Sequence, residues 1–147
     1  DRQHPRDLFD VKQLLDNEGF TNELRKALLV YIISHPRPIA ELLNPHFKDI
    51  SDAYEGEFRN MVDQDIPQTE LEATRKQLVR IINSSLTPQE RSFLLSFKNL
   101  TPDWALLELS GIDQLPAIRW KMQNLAKMKA EKHSGAYRQL KQILGPM

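Results

Sequence analysis

Arg6, Asp7 and Asp10 lie in the opening segment His4-Pro5-Arg6-Asp7-Leu8-Phe9-Asp10, and two carboxylates three residues apart are the first place to look for chemistry. Pro5 suits the first position of a helix, because its missing N–H has no partner there in any case. At about 100° per residue, Leu8, Val11, Leu14 and Leu15 make one apolar arc, with Asp7 inside it and Asp10 at its edge. A carboxylate facing the packed side of a helix is costly unless a cation, a metal ion or a hydrogen-bond donor meets it. The same residues also admit a local reading, in which Asp7 is favoured in the first turn by the helix dipole and Arg6 pairs nearby.

Other constellations are weaker. Asp63-Gln64-Asp65 spells an Asp-x-Asp pair, but it falls in an expected loop before Pro67, with neither a strand nor a glycine turn ahead of it. A solvated loop is the better reading. His4, His35, His46 and His133 are scattered, with no two at i,i+3 or i,i+4 spacing, which argues against a zinc site. The sequence has no Gly-rich phosphate loop and no Gly-x-Ser-x-Gly elbow. It has no cysteine, which excludes a thiol nucleophile and agrees with a reducing compartment.

The second candidate region is basic. Formal charge over the 147 residues is zero, so the whole-chain field favours no partner, yet residues 118–147 hold seven basic side chains against Glu131 alone. In the helix expected from Pro116 to about His133, Ile118, Met122 and Leu125 fall within roughly 60° and form the packing side. Arg119, Trp120, Gln123, Asn124 and Lys127 occupy a separate arc of roughly 140°. Cations that meet phosphate, beside an indole that stacks on an unpaired base, suit nucleic acid. The same mixture also suits a solubilising surface, with Trp120 covering a neighbouring helix.

The elements that must position these residues are helices. Helix signals recur, while period-two alternation bounded by hairpin turns is absent, so the expected class is all-α: a compact bundle of about seven to eight helices with no sheet. A first helix over Pro5–Asn17 should stop at Gly19. Thr21 caps a second through Ile33, apolar on every side and therefore the expected central helix of the core. Pro36, Pro38 and Pro45 leave room for one short turn at Ile39–Leu43. A helix at about Ser51–Val62 is weakened by Gly56. Thr69 with Glu72 and Thr87 with Glu90 each spell a capping box, opening helices at about Glu70 and at Pro88. A short helix from Trp104 toward Leu107 is broken by Gly111, and a break at Ser134-Gly135 should separate the Pro116–His133 helix from a last one over Tyr137–Leu144.

The length and the 40% hydrophobic content allow roughly 70% of the unfolded surface to be buried, enough for a single domain over 1–147 with a possible subdivision near 63–67. The longest apolar run, Ala27 to Ile33, is far short of a membrane span, and no signal-peptide pattern opens the chain. The expectation is a soluble, cytoplasmic protein without a membrane partner.

Three phrases in order are informative together. Arg6-Asp7-x-x-Asp10 resembles the last motif of the AbiEii/AbiGii-type nucleotidyltransferase toxins, bacterial abortive-infection and toxin–antitoxin proteins. Arg37-Pro38-Ile39-Ala40-Glu41-Leu42-Leu43-Asn44-Pro45 and Leu115-Pro116-Ala117-Ile118-Arg119-Trp120-Lys121-Met122-Gln123-Asn124-Leu125 are similar to further stretches of that family. The resemblance implies transfer of nucleotides from an NTP, with Mg²⁺, onto an RNA 3′ end, expected to be tRNA. It makes Asp7 and Asp10 the carboxylates near the metal or the nucleophile, with Arg6 orienting them or meeting phosphate and Arg2 a remnant of the preceding basic motif. The family's Gly-Ser turn and Asp-x-Asp strand are not in the sequence. The expectation is therefore a C-terminal helical part that is inactive alone, with neither Mg²⁺ nor NTP expected to bind it in isolation. The partner implied is a separate antitoxin of the winged-helix, DNA-binding type. The rival from another class is a non-catalytic helical interaction module, such as an antitoxin-binding remnant, in which the same carboxylates are helix caps.

Overall fold

The computed structural model describes residues 3–61 and 65–145. Among these the secondary structure is all-helical: α1 (Pro5–Asn17), α2 (Asn22–Ser34), α3 (Ile39–Leu43), α4 (Ser51–Glu57), α5 (Gln68–Ser85), α6 (Pro88–Lys98), α7 (Pro116–Ala126) and α8 (Ala130–Leu144), with 3₁₀ turns at Trp104–Leu107 and Ile112–Gln114. The chain divides into two compact units, Asp1–Thr21 with His46–Ser84, and Asn22–Pro45 with Ser85–Met147. The loop expected around 63–67 falls partly outside the described residues, as do Asp63 and Gln64 of the Asp-x-Asp phrase and Arg2.

The first unit is built around Leu8, Ile50, Tyr54, Phe58, Ile66 and Leu71, with Phe9 packed against them. The Phe58 ring lies 5.8 Å from Phe9 and 5.6 Å from Tyr54 in tilted geometry, a favourable arrangement for aromatic pairs. The Tyr54 hydroxyl, buried with its ring, donates to the Ile66 carbonyl at 2.6 Å, so this polar group enters the core satisfied. Arg75 of α5 gathers the surrounding chain. Its Nη1 donates to Gln3 Oε1 at 2.9 Å and to the Lys48 carbonyl at 2.8 Å, and its guanidinium stands 4.8 Å over the Phe47 ring.

In the second unit α6 packs on the 3₁₀ turn at Trp104–Leu107 and on α8, α8 packs on α3, and α2 packs on α3 and α7. Phe93, Phe97 and Trp104 form an aromatic cluster with centroids 5.5 to 6.1 Å apart. Thr87-Pro88-Gln89-Glu90 forms the full capping box expected of it. Glu90 also pairs with Arg25 Nε at 2.7 Å and Lys26 Nζ at 3.0 Å, which ties α6 to α2.

Four local expectations are corrected. α2 buries Leu29, Ile32 and Ile33 but leaves Ala27 and Tyr31 exposed, so it is apolar by composition and one-sided in place. α4 ends at Glu57 rather than near Val62: the Arg59 amide closes back on the Tyr54 carbonyl at 2.8 Å, and the buried Phe58 is drawn into the core. α5 begins at Gln68, so Thr69 sits inside its first turn and does not cap it; Gln68 Nε2 instead donates to Glu72 Oε1 at 3.0 Å. The break expected at Ser134-Gly135 falls at Lys127–Lys129. There the Lys127 amide is shared between the Gln123 and Asn124 carbonyls, the Met128 amide reaches Leu125, and Lys129 is extended. Because α7 packs on α2 while α8 packs on α3 and α6, one continuous rod would not reach both.

Candidate functional site

The carboxylate motif sits on the first two turns of α1. His4 caps this helix: its Nδ1 accepts from the Arg6 amide at 3.2 Å, while its Nε2 lies 2.6 Å from Glu57 Oε2. With Nδ1 accepting, the ring proton is on Nε2 and is donated to the Glu57 carboxylate. Pro5 and Leu8 are buried and anchor the turn. Asp7, in the first turn, is half-buried and engaged within the protein, whereas Arg6 and Asp10 are exposed. The arc holding the carboxylates is thus less deeply packed than expected. Val11, Leu14 and Leu15 are only half-buried, and Asp10 keeps its solvation without a protein partner having to meet it. Among the described residues no group of three or more His, Asp or Glu side chains is placed to hold a metal ion.

The polar arc of α7 lies on the surface. Arg119, Trp120, Gln123, Asn124 and Lys127 are all exposed, Trp120 at 52%, large for an indole. Arg119 Nη2 donates to Gln114 Oε1 of the preceding 3₁₀ turn, which holds the guanidinium outward beside the indole. Ile118 and Leu125 are buried as expected, and Met122 is half-buried. Structure therefore brings the five α7 residues onto one face of the second unit, while Arg6, Asp7 and Asp10 stand together in the first.

Two lysines escaped the sequence reading. Lys121 is only 4% exposed and shares the buried stripe of α7 with Ile118 and Leu125. Its ammonium donates to the Ile32 carbonyl at 3.0 Å and the Arg37 carbonyl at 2.9 Å. Ile32 lies in the last turn of α2, where carbonyls lack intrahelical partners and the dipole favours a cation. Burial, and then the nearby Lys98 charge, push Lys121 down to about 8. Lys98, at the end of α6, is 3% exposed, and burial followed by the charge of Lys132 lowers it as well. The available signal was position: Lys121 falls at i+3 from Ile118 and i−4 from Leu125, and Lys98 closes the apolar run that begins at Phe93. Both line a cavity of about 540 Å³ between α7, α8 and the segment that leads into α3.

No helix among the described residues is long and apolar enough to cross a membrane. No curated protein and no solved structure matches the chain significantly. A family model does match, over residues 1–124, and that span contains the α1 carboxylates, the Arg37–Pro45 phrase and most of α7. By that match the chain belongs to the AbiEii family, the nucleotidyl transferase toxins of type IV toxin–antitoxin systems.

Proposed function

We propose that this chain is the helical part of a toxin that transfers nucleotides from an NTP onto the 3′ end of an RNA, with tRNA as the target, and that it contributes the last active-site motif and an RNA-binding face. The observation that carries the reading is the Arg6-Asp7-x-x-Asp10 phrase laid along α1, with Asp10 exposed and available to a ligand. In such a transfer the RNA 3′ oxygen bonds to the α-phosphorus, the α–β bridge breaks and pyrophosphate leaves. Asp7 and Asp10 sit three residues apart, on neighbouring positions of one helix face. Mg²⁺ commonly takes one or two protein carboxylates and completes its octahedron with phosphate oxygens and water, so this pair fits an ion that arrives with the nucleotide. When bound, the ion would offset charge on the transferring phosphates. Arg6 is placed to meet a phosphate oxygen beside the pair.

The exposed Arg119, Trp120, Gln123, Asn124 and Lys127 face supports RNA binding, with cations for the backbone and an indole for an unpaired base. Membership of a toxin–antitoxin family supports an antitoxin partner, for which the reading is a separate winged-helix, DNA-binding protein acting with the toxin in the cytoplasm. A fluorescence titration with bulk tRNA at two salt concentrations tests the face. Reversing Arg119 and Lys127 to Glu should weaken binding far more than reversing Lys12 and Lys48, and affinity should fall steeply with salt, by about one logarithmic unit of slope per lost phosphate contact. Equal losses for both pairs would remove the face from the account and favour a protein-docking role for it.

A further inference from the structure

Lysine is rarely buried without a counter-charge, because the ammonium must give up its hydration. Lys98 is 3% exposed, and its ammonium makes no hydrogen bond or ion pair with any described residue, yet it is not sealed from solvent. The opening it lines is the cavity of the second unit. Four cationic side chains line that cavity, Arg37, Lys98, Lys121 and Lys132, against the single carboxylate of Glu41. Lys121 has spent two of its three N–H groups on the Ile32 and Arg37 carbonyls, which leaves one. Lys98 and Lys132 repel each other, as do Lys121 and Lys98, and each repulsion is relieved only when an anion enters. The half-exposed Trp120 indole and Asn124 also belong to the lining. A volume of about 540 Å³ is that of a site for a small organic molecule, more than a bare phosphate fills.

We propose that this cavity binds a nucleotide by its phosphate, with Lys98 and Lys121 meeting the phosphate oxygens, Arg37 and Lys132 closing around them, and the Trp120 indole stacking on the base. The nucleotide is either free or part of an RNA strand, since both present the same phosphate and base. Arg119, Gln123 and Lys127 do not line the cavity, so this inference and the reading of the α7 face fail separately.

The test is a titration of the 147-residue chain with ATP and, separately, with a single-stranded RNA of about ten nucleotides, followed by tryptophan fluorescence and by thermal shift. The expected result is a quench with at least one probe that disappears in Trp120→Phe. A response to ATP marks a free nucleotide as sufficient, and a response to RNA alone marks a strand. Lys98→Met should weaken binding about tenfold or more, the worth of one charge-assisted hydrogen bond. It should also raise Tm by about 2–4 °C, because a desolvated charge is replaced by an apolar side chain of similar volume. Lys132→Met, at an exposed position where folding is not at stake, should weaken binding severalfold. Binding should decline from pH 7 to pH 9 as Lys121 loses its proton near 8, in surroundings that otherwise hold Lys98, Lys132, Arg37, Glu41 and His35. Failure of both probes to bind at about 1 mM, or unchanged binding in Lys98→Met, would overturn the proposal. Unchanged tRNA binding in Lys98→Met, with loss in the Arg119 and Lys127 reversal, would overturn the cavity alone.

Discussion

Glu90 holds a helix cap, two ion pairs and a helix–helix contact at once. Its Oε1 accepts from the Thr87 amide at 3.0 Å and from Arg25 Nε at 2.7 Å, its Oε2 faces Lys26, and none of the side chain is exposed. Burial on its own would raise its pKa, but the Thr87 amide, Lys26 and Arg25 outweigh it and hold the carboxyl below the ordinary value of 4.5. A carboxylate with a depressed folded pKa gives its full stabilisation above the unfolded value and loses it as the pH falls through the folded one. Glu90→Gln should therefore cost about 3 kcal/mol at neutral pH in urea unfolding, since it leaves two buried cations short of a partner. The wild type should also lose stability more steeply than the variant below pH 4.5; parallel curves would show that the pairs contribute little. The capping box could be read from Thr87-Pro88-Gln89-Glu90, but the partners on α2 could not, because nothing in the local pattern signals a pairing across 65 residues. For the same reason the carboxylates of α1 were visible as a phrase, whereas the exposure of Asp10 and the burial of Lys98 depend on which elements lie alongside.

Helix starts and helix ends differed in how far the sequence announced them. Pro5, Pro88 and Pro116 each open a helix where expected, and Pro38 immediately precedes α3, because proline restricts the backbone locally. Gly19 ends α1 with φ at +76°, a conformation that glycine adopts without strain. Endings set by packing were not visible: α4 stops where Phe58 turns inward, and α7 gives way to α8 where the chain must leave α2 for α3 and α6. Gly135 is the clearest case. A glycine after serine looked like punctuation, but it lies inside α8, where an added Cβ would meet nothing within 4 Å. Gly135→Ala should stabilise the protein by about 0.5–1 kcal/mol in urea unfolding, the usual helix preference of alanine over glycine. Gly111→Ala, at φ +76°, should destabilise it. A destabilised Gly135→Ala would instead place a break at that position.

At the scale of the whole chain the residue phrases pointed to a family, and the match over residues 1–124 shows it. The all-helical class was equally legible, because repeated caps, prolines and 3.6-residue periods leave no room for a sheet. The grouping of Asp1–Thr21 with His46–Ser84 was not legible, since it depends on contacts between segments far apart in sequence. Nor was the cationic cavity. A net charge of zero conceals it, because the lysines that line it come from three helices that only the fold assembles. The measurement that bears most directly on the account is incorporation of labelled nucleotide from an NTP into bulk tRNA by the complete gene product, wild type against Asp10→Asn. The account predicts Mg²⁺-dependent incorporation that falls about a hundredfold or more in the variant, with an unchanged urea midpoint, because Asp10 is exposed. Incorporation by Asp10→Asn at the wild-type rate would contradict it.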